Sequence, residues 1–276
     1  MTTNTQNALK FITCGSVDDG KSTLIGRLLV DTKAVLQDHL AGVQRSGETD
    51  LALLTDGLSA EREQGITIDV AYRYFNTEAR KFIIGDAPGH EQYTRNMVTA
   101  ASSADAAVVL VDAIKLDWKN PALEFLPQTR RHSLLVNMLR VPSVVFAINK
   151  LDAMDYKQEV FDAISADIQR AVERLDVKDI HIIPLSALAG DNVVYPSTKM
   201  PWYKGQTLQD AIQSWEKKKD PSASGLMRIQ MIARADNFRG VSGTVRRGTF
   251  TQGEEVTIFP SNQKATISSI SKDSIK

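Results

Sequence analysis

Cysteine is all but missing from this chain, Cys14 standing alone among 276 residues. No internal disulfide can form and no thiolate cage for a metal can be assembled, so Cys14 is expected to pack as a small hydrophobe, with a redox role as the weaker alternative. Net charge is missing too, because 33 basic residues face 33 acidic ones. No overall field therefore draws the chain to nucleic acid or to an anionic membrane, and neither is expected as a partner. No apolar run has the length of a bilayer span, and Met1 to Asn7 is polar without the basic region of a signal sequence. A cytoplasmic protein is expected. Internal repeats and low-complexity tracts are absent, His39, His132 and His181 show no metal-ligand spacing, and no Ser/His/Asp arrangement stands out. What is present, 42% hydrophobic and 24% charged residues, suits one large core and part of a second.

The chain is organised around Gly15-Ser16-Val17-Asp18-Asp19-Gly20-Lys21-Ser22, a glycine, four free positions and Gly-Lys-Ser. This is the phosphate-loop pattern. Leu9 to Cys14 before it reads as a short buried strand, and Leu24, Ile25, Leu28 and Leu29 give the next segment an apolar helical face. In that setting the backbone N–H groups of Ser16 to Lys21 converge on a β-phosphate at a helix N-terminus. Lys21 is expected to bridge the β- and γ-phosphates, the Ser22 hydroxyl to bind Mg²⁺, and Thr23 to complete the loop.

Further along, the chain alternates strands and helices. Strands are read over Ile68 to Phe75 and Arg80 to Gly85, joined by a hairpin-like turn at Asn76 to Ala79, then over Ala106 to Val111, Ser143 to Ile148 and His181 to Leu185. Helices are read over Gln92 to Ser102, Gln128 to Leu139, Tyr156 to Leu175 and Thr207 to Trp215. Most of the strands are continuous apolar runs, which predicts an α/β fold, a mostly parallel sheet covered on both faces. Lys217 to Gly225 is a linker by composition, its lysine run a solvated helix end. Beyond it Met227 to Arg234, Gly243 to Thr249 and Glu255 to Phe259 read as short strands between glycine turns, the start of a β-barrel. The expected organisation is a nucleotide-binding domain over 1–220 and the N-terminal part of a barrel over 221–276, the chain stopping inside its second domain.

Several strand-end loops complete a nucleotide site on this reading. Asp86 of Asp86-Ala87-Pro88-Gly89-His90 suits a water-mediated hold on Mg²⁺, and the Gly89 N–H a γ-phosphate. Asn149-Lys150-Leu151-Asp152 suits base selection: the Asp152 carboxylate accepts from guanine N1–H and its 2-amino group, a pair that adenine does not offer. Lys150 lays its stem along the base, and the backbone of Ser186-Ala187-Leu188 meets guanine O6 through the Ala187 N–H. Thr67 is the expected third contact to Mg²⁺ and γ-phosphate, on a loop ordered by the triphosphate. His90 is placed to orient a hydrolytic water, and Arg62 is either an internal arginine finger or part of a solvated face. The expected catalytic residues are thus His90, Lys21 and Thr67, with GTP or GDP and Mg²⁺ as the bound groups.

The stretch Gly15 to Leu29, Thr55 to Arg73, Asp86 to Met97, Gln128-Thr-Arg-Arg-His132, Asn149 to Asp152 and Asp236 to Gly243 together resemble one family. It is the large, GTP-binding subunit of bacterial sulfate adenylyltransferase, related to the translation elongation factors. Elongation factors look similar but usually carry histidine where this chain has Ser16. The resemblance implies a small adenylyltransferase subunit as partner in a heteromer. That subunit joins ATP to sulfate, giving adenosine 5′-phosphosulfate and diphosphate, while GTP hydrolysis drives the uphill step. Two departures are visible: Ala87 replaces a more usual threonine, and Lys115 to Leu126 lengthens a loop that is shorter in many relatives. A translational GTPase acting at the ribosome is the alternative, and an unspecialised GTPase domain the third reading.

Overall fold

In a computed structural model the central element is a six-stranded sheet. The structure describes residues 8–34, 44–45, 48–49, 51, 69–77, 80–120, 127–173, 179–215, 224–235 and 238–271. The chain divides into two compact units, Met1–Trp215 and Glu216–Lys276.

The first unit runs β1 (Leu9–Cys14), α1 (Lys21–Asp31), β2 (Ala71–Asn76), β3 (Lys81–Asp86), α2 (Thr94–Ala101), β4 (Ala106–Asp112), α3 (Pro127–Met138), β5 (Ser143–Asn149), α4 (Gln158–Val172), β6 (Asp179–Pro184) and α5 (Leu208–Ser214). A two-residue antiparallel pair, Gln44–Arg45 with Glu48–Thr49, lies between α1 and β2. The strand order is β2-β3-β1-β4-β5-β6. Only β2 runs antiparallel to its neighbour, pairing Ala71 with Asp86 and Asn76 with Lys81; every other pair is parallel.

A strand sends successive side chains to opposite faces, and here both faces are apolar. Phe11, Val108, Leu110, Val145 and Ala147 point to one side, where Leu24, Ile25 and Leu28 of α1 and Leu208, Ala211 and Ile212 of α5 cover them. Ile12, Ala107, Val109, Val144, Phe146 and Ile148 point to the other, beneath Met97 of α2, Val136 of α3 and Val160, Ile164 and Ile168 of α4. Phe75 and Phe82 stack at 4.7 Å between ring centroids, and Phe11 and Trp215 close that corner edge-on. Two buried layers over parallel strands leave the strand C-terminal ends as the place where loops gather, and the phosphate loop, Asp86, Asp112 and Asn149 all lie there. The mostly parallel α/β sheet matches the expectation from the apolar runs.

The second unit contains two antiparallel hairpins, β7 (Leu226–Ala235) with β8 (Phe238–Arg247) and β9 (Glu255–Ile258) with β10 (Gln263–Thr266). Among its described residues none is buried, and Met231, Ile232, Val241 and Phe259 are more than half exposed.

Candidate functional site

The phosphate loop is shaped from both ends. β1 delivers Cys14 fully buried, and burial pushes its thiol up to about 12, which makes it a packing group and not a nucleophile. At the other end Gly20 caps α1 with φ 89°, a left-handed conformation that suits glycine; a Cβ there would lie 2.5 Å from Asn149 Nδ2. The Leu24 N–H donates to the Gly20 carbonyl at 2.9 Å, so the helix starts immediately and its free N–H groups face the loop. Inside the loop Lys21 Nζ donates to the Ser16 carbonyl at 2.6 Å and to the Gly15 carbonyl at 3.3 Å. Burial holds its ammonium below the usual lysine range, against the pull of Asp86 and Asp19.

Asp86 ends β3 directly opposite Thr13 of β1, and its carboxylate accepts from Thr13 Oγ1 at 3.1 Å and from Ser22 Oγ at 3.5 Å. Gly89 follows at close quarters: a Cβ there would lie 2.6 Å from Lys21 Nζ and 3.1 Å from the Ser16 carbonyl oxygen. A side chain at 89 would fill the space between the two phosphate-facing loops. His90 is half-buried, its ring edge-on to Tyr93 at 6.4 Å, and its carbonyl starts the 3₁₀ turn Glu91–Tyr93 by accepting from the Tyr93 N–H at 3.1 Å. That turn is tighter than the continuous helix expected from Gln92.

The loops after β5 and β6 are tied to the phosphate loop by one buried amide. Asn149 Nδ2 donates to the Asp19 carbonyl at 2.8 Å, while its Oδ1 accepts from the Ala187 N–H at 2.9 Å. Lys150, in the left-handed region at φ 65°, sends Nζ to the Asp18 carbonyl and to Asp112 Oδ2, both at 2.6 Å. Asp152 is half-buried at the start of the 3₁₀ turn Leu151–Met154. Ser186 is held by its N–H to the Asp191 carbonyl and by its Oγ, which accepts from the Ala189 N–H; Ala187 is buried and Leu188 exposed.

Gly15 to Thr23, Asp86, Gly89, Asn149, Lys150 and Ser186 to Leu188 are thus brought together at the C-terminal ends of the strands. Thr67 and Arg62 lie outside the described residues. Three further residues join the site to which no role was assigned from the sequence. His132 of α3 is fully buried and its Nδ1 accepts from the Gly15 N–H at 3.0 Å; burial first, then Lys21 and Arg131, hold it down to about 4, so it stands neutral beneath the loop. Asp112, at the end of β4, receives Lys150. Arg27 donates to the carbonyls of Ala187 and Leu188, pinning the base loop to α1. Of these only Asp112 carried a signal, a carboxylate at a strand end.

The donor set can grip a polyphosphate through backbone N–H groups and one ammonium, with two oxygen donors, Ser22 Oγ and Asp86, beside it. Among the described residues no group of three or more His, Cys, Asp or Glu forms a metal cluster, so a cation here would complete its shell from phosphate and water oxygens, as Mg²⁺ commonly does. Among the described residues no helix is long and apolar enough to cross a membrane.

Comparison with known proteins agrees with this geometry. The curated sulfate adenylyltransferase subunit 1 of Pseudoalteromonas atlantica is 50% identical over 275 residues, covering 96% of this chain and 57% of that protein. The protein of the same name from Laribacter hongkongensis is 48% identical over 276 residues, again with 96% of this chain but 56% of the relative. The chain therefore spans little more than half the length of the relatives it matches. Among solved structures, sup35 complexed with GMPPNP aligns at TM-score 0.57 with 24% identity, covering 96% of this chain and 58% of that one. The GTP-bound Ski7 GTPase-like domain of S. cerevisiae aligns at 0.63 with 16% identity, covering 91% and 60%; at these identities the likeness is one of fold. The family model described as the elongation factor Tu GTP binding domain matches residues 6–218. By that match the chain belongs to the elongation factor Tu GTP-binding-domain family, whose members hold guanine nucleotide.

Proposed function

We propose that this chain is the GTP-hydrolysing part of a sulfate adenylyltransferase, working with a small adenylyltransferase subunit in the cytoplasm. The observation that carries the reading is the identity of 48–50% over 95–96% of the chain to proteins named sulfate adenylyltransferase subunit 1. Identity to the solved selenocysteine-specific elongation factor is lower, 18%, which favours sulfate activation over the ribosome-directed alternative. On this reading adenylyl transfer from ATP to sulfate, giving adenosine 5′-phosphosulfate and diphosphate, takes place on the partner. The chain's own guanine-reading site supplies the driving hydrolysis.

On the same reading each residue of the site has a role. Backbone N–H groups from Ser16 to Lys21 bind the β-phosphate, and Lys21 swings from the Gly15 and Ser16 carbonyls to the β- and γ-phosphates. Ser22, Asp86 and Thr67 would hold Mg²⁺, which would supply neutralisation of phosphate charge; Thr23 and the Gly89 N–H complete the phosphate contacts. Asp152 reads the guanine edge, with Lys150 along the base and the Ala187 N–H at O6. His90 orients the attacking water. The domain boundary near 220 marks the passage from this site to the first strands of a β-barrel, 221–276. The test is GTP turnover by the chain in the presence of the adenylyltransferase subunit or of ribosomes. Stimulation by the subunit alone is expected, whereas stimulation by ribosomes alone would replace this reading with the translational one.

A further inference from the structure

Outside the motifs, the segment that follows β4 also reaches the nucleotide loop. In it Leu116 is buried and Trp118 packs against the core cluster that holds Val136 of α3 and Val160 of α4. Lys115 stands on this anchored platform and points at the phosphate loop. Its Nζ donates to the Val17 carbonyl and to Asp19 Oδ1 at 3.1 Å, with Asp112 Oδ2 3.8 Å away.

Asp19 is the reason this contact matters. It occupies a free position of the loop pattern, yet its side chain is turned inward and has no exposure at all. Oδ2 accepts the Ser16 N–H at 2.5 Å, folding the loop's first residues onto its fifth, and Oδ1 receives Lys115. Burial pushes this carboxyl above the usual carboxylate range, and Lys115 is the chief influence opposing that shift. Lys150 holds the neighbouring Asp18 carbonyl and shares Asp112 with Lys115. Two ammonium groups on one buried carboxylate therefore hold two successive loop carbonyls, Val17 from the β4 side and Asp18 from the base-reading side.

We propose that Lys115 is a positioning residue of the nucleotide site: by pairing with buried Asp19 and holding the Val17 carbonyl it fixes the phosphate loop and slows release of guanine nucleotide. The inference rests on the guanine-nucleotide reading of the site. An ordinary surface ion pair contributes little, but this one joins a side chain 33% exposed to one with no exposure, and loss of the lysine leaves a buried charge without its partner. The loop can relieve that only by moving the Ser16 to Asp19 backbone, the same backbone that must aim its N–H groups at phosphate. Whatever displaces Ala113 to Asn120 therefore also acts on the nucleotide.

The experiment measures displacement of fluorescent GDP and GTP analogues from the wild-type chain and from Lys115→Met, Lys115→Arg, Asp19→Asn and the Lys115→Met/Asp19→Asn pair. Release from Lys115→Met is expected to be about tenfold faster, Lys115→Arg to stay near wild type, and the double variant to release more slowly than Lys115→Met because no unpaired buried charge remains. Unfolding midpoints without nucleotide separate a loosened loop from a damaged fold, and Lys115→Arg keeps the test decisive if the methionine variant unfolds. Wild-type release from Lys115→Met, additivity of the two changes, or fast release from Lys115→Arg would each overturn the proposal. Failure of the wild-type chain to bind either analogue would overturn the guanine reading itself, and this inference with it.

Discussion

At the scale of single residues the site divides into groups that touch nucleotide and groups that hold those groups. Asp152 is proposed for the first class. Replacing it by Asn exchanges an acceptor for a donor opposite the guanine amino group, so preference should pass from GTP to XTP; equilibrium titration with both nucleotides checks it, and an Asp152→Asn protein that still strongly prefers GTP would remove Asp152 from the base contact. His132 belongs to the second class. Its folded-state value near 4 lies below the ordinary 6.5, so between those values the unfolded chain binds the extra proton and folding weakens as pH falls. The neutral imidazole therefore contributes stability that is complete above about pH 6.5 and lost on descent towards 4, on the order of 3 kcal/mol from one group. His132→Asn keeps an acceptor within reach of the Gly15 N–H without titrating. Its unfolding free energy should vary less with pH from 6.5 to 4 than that of the wild type, as urea melts at several pH values would show. The sequence displayed Asp152 because its spacing from Asn149 is local. It hid the role of His132 because the partner of its Nδ1 lies 117 residues away, and no periodicity reports such a contact.

At the scale of elements, what could be read depended on how each strand or helix earns its burial. β4 and β5 are unbroken apolar runs covered on both faces, and their limits were legible to within a residue. β8 was recognised only from Gly243 onward because Arg239, Gly240 and Ser242 interrupt any alternation, yet it pairs with β7 from Phe238. β10, with the sequence Gln-Lys-Ala-Thr, offers no apolar pattern and was not foreseen; its backbone pairing with β9 makes it a strand. α4 begins at Gln158, two residues later than its periodicity suggests, because Asp155 and Tyr156 adopt positive φ. The last helix of the first unit, expected over Thr207 to Trp215, spans Leu208–Ser214 with those two residues as its caps. Thr207 Oγ1 accepts the Asp210 N–H at 3.1 Å and Asp210 Oδ2 accepts the Thr207 N–H at 3.3 Å, a reciprocal cap before the buried Leu208, Ala211 and Ile212. Thr207→Ala removes one bond of this pair and should cost about 1 kcal/mol, lowering the melting temperature by roughly 2–4 °C in a domain of this size. Calorimetry checks it, with guanine-nucleotide affinity expected to stay at the wild-type value.

At the scale of the whole molecule, the two units differ in what holds them together, and that difference sets how nucleotide should act on each. The first has a sheet buried on both faces and contains the phosphate loop, Asp86, Asn149, Lys150 and the Ser186 to Leu188 turn. The second has paired strands but no buried described residue, so opening its hairpins exposes little further apolar surface. A ligand stabilises only the state that binds it, by about 2.7 kcal/mol at a hundredfold excess over its dissociation constant. GDP should therefore slow amide exchange in β1, β4 and β5, and most strongly at Gly15 to Ser22 and Asn149 to Ala153, where N–H groups meet phosphate or the loops that hold it. Exchange in β7 to β10 should be fast without nucleotide and unchanged with it. Mass-resolved hydrogen exchange with and without GDP makes the comparison in one sample. Protection gained equally in both units would mean that they open together and that the division near Trp215 has no energetic meaning. Protection confined to the first unit would show that guanine-nucleotide binding resides wholly within Met1–Trp215.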